Sequence, residues 1–285
     1  VRAAILDGIV LGLQFGILAV GLTLVYGLGG ILNLAYGQML VVVALVVSLL
    51  MAAGVPAAWA VIIGLVVGGT FGLVLDLTLL QPVYRRRGEA RVLLSLLLTL
   101  GVAFLVDGLM VWRYPTEALS LRIGGESVRI LGVQMRTGSL LASGIALAAF
   151  AGLFAFFRTT MLGRAIRSII QDEEGARIVG IDPARMRTLI IVLSGILAGL
   201  VAVTRSMTSP VTVAEGVSFT IFALIVTVVG GLGSVAGAFL AGVILGIVNT
   251  VSTLYIGTYV TYILLLGAAA LTILIRPSGL LGARE

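Results

Sequence analysis

Cysteine, histidine and lysine are absent from the 285 residues, every basic side chain being arginine, and only 11% of the chain is charged. No disulfide framework, thiol nucleophile or His/Cys metal site can be built from such a composition. A proton relay would have to run through carboxylates alone. A G-x-x-x-x-G-K-(S/T) phosphate loop is also missing, so the chain does not hydrolyse ATP by that machinery. No cleavable leader is expected, because VRAAILDG runs straight into a long apolar stretch, and the lack of an initiator Met points to trimming or to residues left out at this end. The net charge of +6 does not imply a nucleic-acid partner, because the arginines sit beside apolar runs, where positive-inside bias accounts for them.

What is abundant fixes the solvent. Hydrophobic residues make up 60% of the chain, mean hydropathy is +1.23, and apolar runs recur at the length of about 20 residues needed to cross roughly 30 Å of hydrocarbon. The runs are continuous and do not alternate, which favours helices over a β-barrel. The expected fold is an all-α integral membrane protein. It is a single domain over 1–285, a polytopic bundle with spans near 5–27, 35–53, 57–80, 92–112, 139–157, 188–207, 218–232, 236–254 and 258–275. That gives eight or nine crossings, since short Gly-rich pieces can be re-entrant. Arg85, Arg86, Arg87 and Arg91 after the third span, and Arg158, Arg164, Arg167, Arg177, Arg185 and Arg187 after the fifth, place both loops in the cytoplasm. With nine crossings the N-terminus is external and the C-terminal RPSGLLGARE internal; Arg2 pulls weakly the other way.

Residues 114–138 contain two strand-like runs separated by Gly124-Gly125 and read as an external β-hairpin, with Arg122, Glu126 and Arg129 available for rim ion pairs. Two Gly-interrupted segments, YGLGGILNLAYG (Tyr26 to Gly37) and GGLGSVAGAFLAG (Gly230 to Gly242), occupy corresponding places in the two halves. Paired broken helices of this kind point to a midplane pathway, because unwound backbone survives in a membrane only where protein or a water-filled cavity satisfies it. Close helix packing through small residues is the competing explanation. Gln14, Asn33, Tyr36, Gly37 and Gln38, with Gly230, Gly231 and Gly233, are the candidate pathway residues. Gln14 and Asn33 can hydrogen-bond a polar solute without a stranded charge. Asp76, Asp107 and Asn249 also fall within or near span ends; interfacial or structural roles are expected for the two acids. Glu215 is read as a solvated loop residue near the external mouth.

The charged stretch 158–188, RTTMLGRAIRSIIQDEEGARIVGIDPARMRT, must lie outside the lipid. Met161, Leu162, Ala165, Ile166, Ile169 and Ile170 recur at helical spacing, giving an amphipathic helix with Arg164, Arg167 and Ser168 facing elsewhere. A further turn from Asp172 carries acids first and Arg177 late, as the helix dipole prefers, and Gly180 closes it before Asp182-Pro183. Asp172, Glu173 and Glu174 oppose attraction to anionic lipid, so a protein-docking role is expected.

The segment IIQDEEGARIVGIDPARMRTLIIVLSGILAGLVAV resembles the cytoplasmic coupling region of permeases from branched-chain amino-acid type bacterial ABC importers. GLTLVYGLGGILNLAYGQ is similar to that family's first-span signature, and TVVGGLGSVAGAFLAGVILG with RPSGLLG to its C-terminal half, so the resemblance covers nearly the whole chain in order. Length and first-span signature look like the H-type permease. The resemblance implies a bacterial cytoplasmic (inner) membrane protein, surrounded by lipid and without catalysis of its own. Its implied partners are a second permease subunit (a related M-type or a second copy), two cytoplasmic ATPases carrying the ATP and Mg, and a periplasmic or extracellular solute-binding protein. No cofactor or metal belongs to this chain. The residues carried over for ATPase coupling are Gly163, Arg164, Arg167, Gln171, Asp172, Glu173, Glu174, Gly175 and Gly180. Where the family pattern has His, Gly and an acid, this chain has Tyr36, Gly37 and Gln38, which removes an anionic partner for an ammonium group. Branched-chain or hydrophobic amino acids are the expected solutes, with urea, amides or aromatic acids as alternatives. A carboxylate could be held by half-helix N-termini. The rival classes are a stand-alone channel or secondary transporter, which needs no docking helix, and an intramembrane enzyme, for which no clustered pair of acids is present.

Overall fold

The computed structural model describes residues 2–86, 88–121, 127–130, 133–276 and 279–281. Its elements are α1 (Arg2–Gly29), α2 (Tyr36–Ala52), α3 (Ala57–Leu75), α4 (Gln81–Tyr84), α5 (Glu89–Arg113), β1 (Ala118–Leu119), β2 (Ser127–Ile130), β3 (Val133–Arg136) and α6 (Thr137–Thr159). The second half adds α7 (Met161–Gln171), α8 (Glu173–Ile178), α9 (Pro183–Ser206), β4 (Val211–Thr212), α10 (Gly216–Gly230), α11 (Val235–Ile256) and α12 (Thr258–Ile275). Eight of the described helices are long and apolar enough to cross a membrane, and α2, at 17 residues, is a shorter apolar helix. This is the expected polytopic all-α membrane bundle.

Burial sorts the spans into centre and periphery. The apolar window of α1 is 83% buried, against 17% for α5 and α12. Glycine spacing makes α1 the hub: Gly8, Gly12 and Gly16 face α11, where a Cβ on Gly246 would lie 2.2 Å from the Gly12 Cα and one on Gly242 2.3 Å from the Gly16 Cα. The two backbones therefore touch, the close approach that small residues permit in membranes. Phe15 of α1 stacks on Phe222 of α10 at 4.7 Å, and Phe222 meets Tyr262 of α12 at 5.4 Å.

The third span is not regular. A π-helical turn, Asp76–Leu80, joins α3 to α4, which carries Pro82. Proline lacks an N–H and clashes with the preceding turn, and the wider turn accommodates it.

Sidedness follows from arginine. Arg85, Arg86, Arg91, Arg158, Arg164, Arg167, Arg177, Arg185 and Arg187 lie at one end of the bundle, cytoplasmic by the positive-inside rule. The start of α1 lies at the other, where Asp7 shares a cavity with Arg136 and Arg205.

On the external side the pairing differs from expectation. β2 pairs with β3 (Ser127↔Arg136 through Ile130↔Val133), so the two paired strands both follow Gly124-Gly125 in sequence and do not flank it. β1 instead pairs with β4 (Ala118↔Thr212, Leu119↔Val211). That choice buries Leu119 and Val211, to 3% and 1% exposure, in a cluster over Val41, Ala44 and Leu45 of α2. Arg122, Gly124, Gly125 and Glu126 lie outside the described residues, as does the side chain of Arg129.

Candidate functional site

The first Gly-interrupted segment is a true break. α1 ends at Gly29 and residues 30–35 run without helical structure along α5, whose Arg91, Ser95 and Thr99 recur every four residues on one face. Arg91 Nη1 donates to the Gly29 carbonyl (3.2 Å), while Ser95 Oγ and Thr99 Oγ1 accept from the Leu32 and Leu34 amides (3.3 and 3.0 Å). Asn33 Oδ1 accepts from Ala35 N (3.0 Å) and Thr220 Oγ1 donates to the Leu34 carbonyl (3.2 Å). Protein groups thus replace the water that an unwound backbone would need. Chain length is then sufficient for α2 to begin inside the bundle and run outward.

The second half supplies an oppositely directed partner. After α9 the chain turns back through β4 and a 3-10 turn at Val213–Glu215, and α10 starts at Gly216, against the first turn of α2. A Cβ on Gly37 would lie 1.8 Å from the Gly216 carbonyl oxygen, and Gly37 N donates to Thr220 Oγ1 at 2.8 Å. Tyr36 donates to the Ser194 carbonyl (3.2 Å), halfway along α9, with its ring over Gly21. Gln38 is 1% exposed, and neither its Nε2 nor its Oε1 has a hydrogen-bond partner. Glu215, half-buried, accepts from Thr212 N (3.3 Å) in a capping box.

The second Gly-interrupted segment is not the counterpart of that break. Gly230 ends α10, Gly231 and Gly233 take φ of +103° and +90° in a turn at the arginine-rich end, and Ser234 caps α11 by accepting from Gly237 N at 3.1 Å. Gly242, at its far end, is part of the α1–α11 contact. The pairing of broken helices is instead between residues 30–35 and 207–215.

Two cavities lie on the seam of α1, α6 and α11. The external one, about 430 Å³, is lined by Asp7, Gln14, Gln134, Arg136, Arg205 and Thr250 among others. Gln14 is fully buried at its floor; Nε2 donates to the Thr204 carbonyl (3.1 Å) and Oε1 has no partner. Both charge signs and a neutral amide therefore face one small space, a composition suited to a zwitterion. The inner one, about 290 Å³, lies at the arginine-rich end between Thr23, Gly27, Phe157, Arg167 and Gly233.

The elbow of α7 and α8 protrudes on that same side. Thr160 caps α7 (Oγ1 accepts from Gly163 N, 3.0 Å), Asp172 caps α8 (accepting from Glu174 N, 3.0 Å) and Asp182 caps α9 (accepting from Ala184 N, 2.9 Å). Ile166, Ile169 and Ala176 are buried in the bundle core, whereas Met161, Ile178 and Val179 are 76%, 86% and 75% exposed. Gly163 is buried because a Cβ there would strike the Phe157 Cα at 2.6 Å, Gly175 sits against Asp172, and Gly180 adopts φ +88° to end α8. Arg164, Arg167, Gln171, Asp172 and Glu174 are exposed.

Glu173 is placed differently from its neighbours. Its carboxylate pairs with Arg177 (2.6 Å) and with Arg187, whose side chain is 6% exposed. Arg187 also lies over the Tyr84 ring at 4.8 Å, with Nε 3.4 Å from the Leu28 carbonyl it donates to. Next to it Thr188 donates to Asp76 Oδ2 at the π-helical turn, so Asp76, 1% exposed, has a structural role. Four elements, α8, α9, α4 and the end of α1, meet at one guanidinium. Asp107 is half-buried with Oδ1 unpartnered, and Asn249 accepts from Thr253 (3.2 Å).

Comparison with known proteins places this geometry. The family described as branched-chain amino acid transport system / permease component matches residues 4–275. The high-affinity branched-chain amino acid transport system permease protein BraD of Pseudomonas aeruginosa is 28% identical, the match covering 99% of this chain and 95% of that protein. LivH of Escherichia coli is 24% identical (98% and 94% covered) and the probable LivH of Methanocaldococcus jannaschii 27% (93% and 88%). Among solved structures, PsaBC from Streptococcus pneumoniae in complex with Fab superposes with a TM-score of 0.52 at 15% identity, covering 95% of this chain and 91% of that one, a likeness of fold alone. With the family match running across all nine apolar helices, the chain belongs to the branched-chain amino-acid transport permease family, as a multi-pass inner-membrane subunit of an ABC importer.

Proposed function

We propose that this permease carries branched-chain or similar hydrophobic amino acids inward, together with a second permease subunit, two cytoplasmic ATPases and an external solute-binding protein. The observation that carries the coupling half of this reading is the α7–α8 elbow: two capped helices fixed to the bundle by buried isoleucines while Ile178 and Val179 stand free outside the spans. Exposed apolar side chains rimmed by charge mark a protein contact. Gly163, Gly175 and Gly180 set the shape of the elbow, and Arg164, Arg167, Gln171, Asp172 and Glu174 form its docking rim. Glu173 acts from behind, holding α8 to Arg187. ATP and Mg belong to the partner subunits.

On the solute side, the external cavity with Gln14 receives the substrate. The α2–α10 crossing, with Asn33, Tyr36, Gly37 and Gln38, lies on its path, and Gly230, Gly231 and Gly233 shape the inner end. The test is purification of the complex from native membranes, identification of its components, and ATP hydrolysis against a panel of amino acids, amides and aromatic acids. Co-purifying ATPases stimulated by a hydrophobic amino acid through its binding protein are expected. A permease that never retains an ATPase, even after mild cross-linking, overturns the reading.

A further inference from the structure

We infer that the inner cavity between α1, α6, α7 and the start of α11 is a site for an acidic phospholipid of the cytoplasmic leaflet. Arg158 and Arg167 hold its phosphate, and the Thr23 hydroxyl meets its ester oxygens deeper in the span. The inference goes beyond the importer reading and does not depend on which solute is carried.

Charge is the first observation. Arg158 and Arg167 line the cavity, no acid does, and among the described residues neither arginine forms an ion pair. Arg158 lies over the Phe154 ring at 4.7 Å, a contact that leaves its charge without a counter-ion. Asp172, Glu173 and Glu174, the acids that oppose anionic lipid, belong to α8 and its cap and do not line the cavity. A basic pocket between spans at the cytoplasmic end suits an anionic headgroup, and guanidinium matches phosphate in geometry.

Access and depth are the second. Phe154 and Ile170 on the cavity wall are exposed, and the apolar window of α6 is only 22% buried, so the cavity opens at the periphery of the bundle. Inside, Leu24, Phe157 and Ile166 are buried and apolar. The volume of about 290 Å³ holds a phosphate, its glycerol and the first carbons of a chain, while the rest of the lipid lies outside along α6.

The third is an unused hydroxyl. Threonines in these spans habitually donate to the carbonyl four residues back, as Thr70, Thr78, Thr159 and Thr272 do. For Thr23 that carbonyl belongs to Ala19, which accepts instead from Thr227 Oγ1 at 3.2 Å. Thr23 is fully buried, its Oγ1 has no partner, and it lines the cavity. It sits four residues, about 6 Å, further into the span than Gly27, which lines the same cavity. A glycerophospholipid presents its groups in this order, phosphate at the interface and ester oxygens below it.

The test uses the permease with the subunits that accompany it, in phosphatidylcholine nanodiscs containing a minority of phosphatidylglycerol that carries a photoactivatable group on one chain. α1 is the buried hub, so lipid that merely surrounds the bundle does not reach residues 23–27. Irradiation and peptide mapping should place label on residues 23–27 of α1, displaced by unlabelled phosphatidylglycerol and not by phosphatidylcholine or soluble glycerol 3-phosphate. Arg158→Gln should lower that labelling about fivefold, and Arg158→Lys should keep most of it. Thr23→Val should lower it about two- to tenfold, with melting in phosphatidylcholine alone equal to or above wild type, since an unpaired buried hydroxyl is removed. Arg167 and Gln171 also belong to the proposed docking rim and are left unaltered. Label confined to exposed faces, equal displacement by phosphatidylcholine, displacement by glycerol 3-phosphate, or unchanged labelling in Arg158→Gln or Thr23→Val each overturns the inference.

Discussion

Replacing Arg187 by Met should loosen α8 from the bundle and uncouple ATP hydrolysis from transport without unfolding the spans. α8 has six residues, far fewer than an isolated helix needs. Its Asp172 cap contributes about 1 kcal/mol. The Glu173–Arg177 pair, with side chains 31% and 58% exposed, contributes about 0.3–0.5 kcal/mol. The Glu173–Arg187 pair is larger because Arg187 is 6% exposed; breaking a fully buried pair costs about 3–5 kcal/mol, and the 31% exposure of Glu173 brings this to about 2 kcal/mol. That single tether exceeds the other polar ones together. The chain has no cysteine, so Ile178→Cys carrying a spin label reports directly on α8. Arg187→Met should raise label mobility and lower solute moved per ATP hydrolysed, and Arg187→Lys should rescue only in part, because an ammonium lacks the fork and the stacking face. In a double-mutant cycle with Glu173→Gln the coupling energy should be about 1–2 kcal/mol. Additive single effects with unchanged label mobility would refute the tether.

The docking rim and the tether can be told apart. Glu174→Lys, at an exposed position, should weaken ATPase co-purification while leaving label mobility at Ile178→Cys unchanged in the permease alone, whereas Glu173→Lys should raise that mobility in the permease alone. Removing both hydroxyls that serve the unwound segment, Ser95→Ala with Thr99→Ala, leaves the Leu32 and Leu34 amides unpaired at about 1–3 kcal/mol each; thermal melting in detergent should fall and uptake should be lost, while unchanged melting would mean the segment finds other partners. Gly246→Ala places a Cβ 2.2 Å from the Gly12 Cα and should cost at least about 1–3 kcal/mol, read as a lower melting temperature, whereas Gly267→Ala on α12, with open space around it, should leave melting unchanged.

The spans were legible because crossing a membrane is a local property: about 20 apolar residues suffice, whatever they pack against. The caps of α8 and α9 were legible for the same reason, Asp172 and Asp182 preceding their helices in sequence. The break between α1 and α2 was half legible. Glycine density flagged Tyr26 to Gly37 and Gly230 to Gly242 alike, yet glycine in a membrane reports close packing as readily as unwinding. What separates them is where their hydrogen bonds come from. Side chains of other spans, Ser95, Thr99 and Thr220, satisfy residues 30–35, while the Gly231–Ser234 turn is closed by its own Ser234 N–Gly231 carbonyl bond and Leu280 N and Leu281 N donate to the Val229 and Gly230 carbonyls at the arginine-rich end. A polar stripe at Arg91, Ser95 and Thr99 inside an otherwise apolar span was the available signal. Glu173 shows the same limit from the other side: its neighbours in sequence mark it as a surface acid, and Arg187, fourteen residues on, takes it out of that role. The counterpart of the first break, residues 207–215, contains no glycine. Its unwinding follows from β1 capturing β4 and from the capping box that starts α10, so the antiparallel crossing of the first turns of α2 and α10 is a product of tertiary pairing that no window of sequence contains.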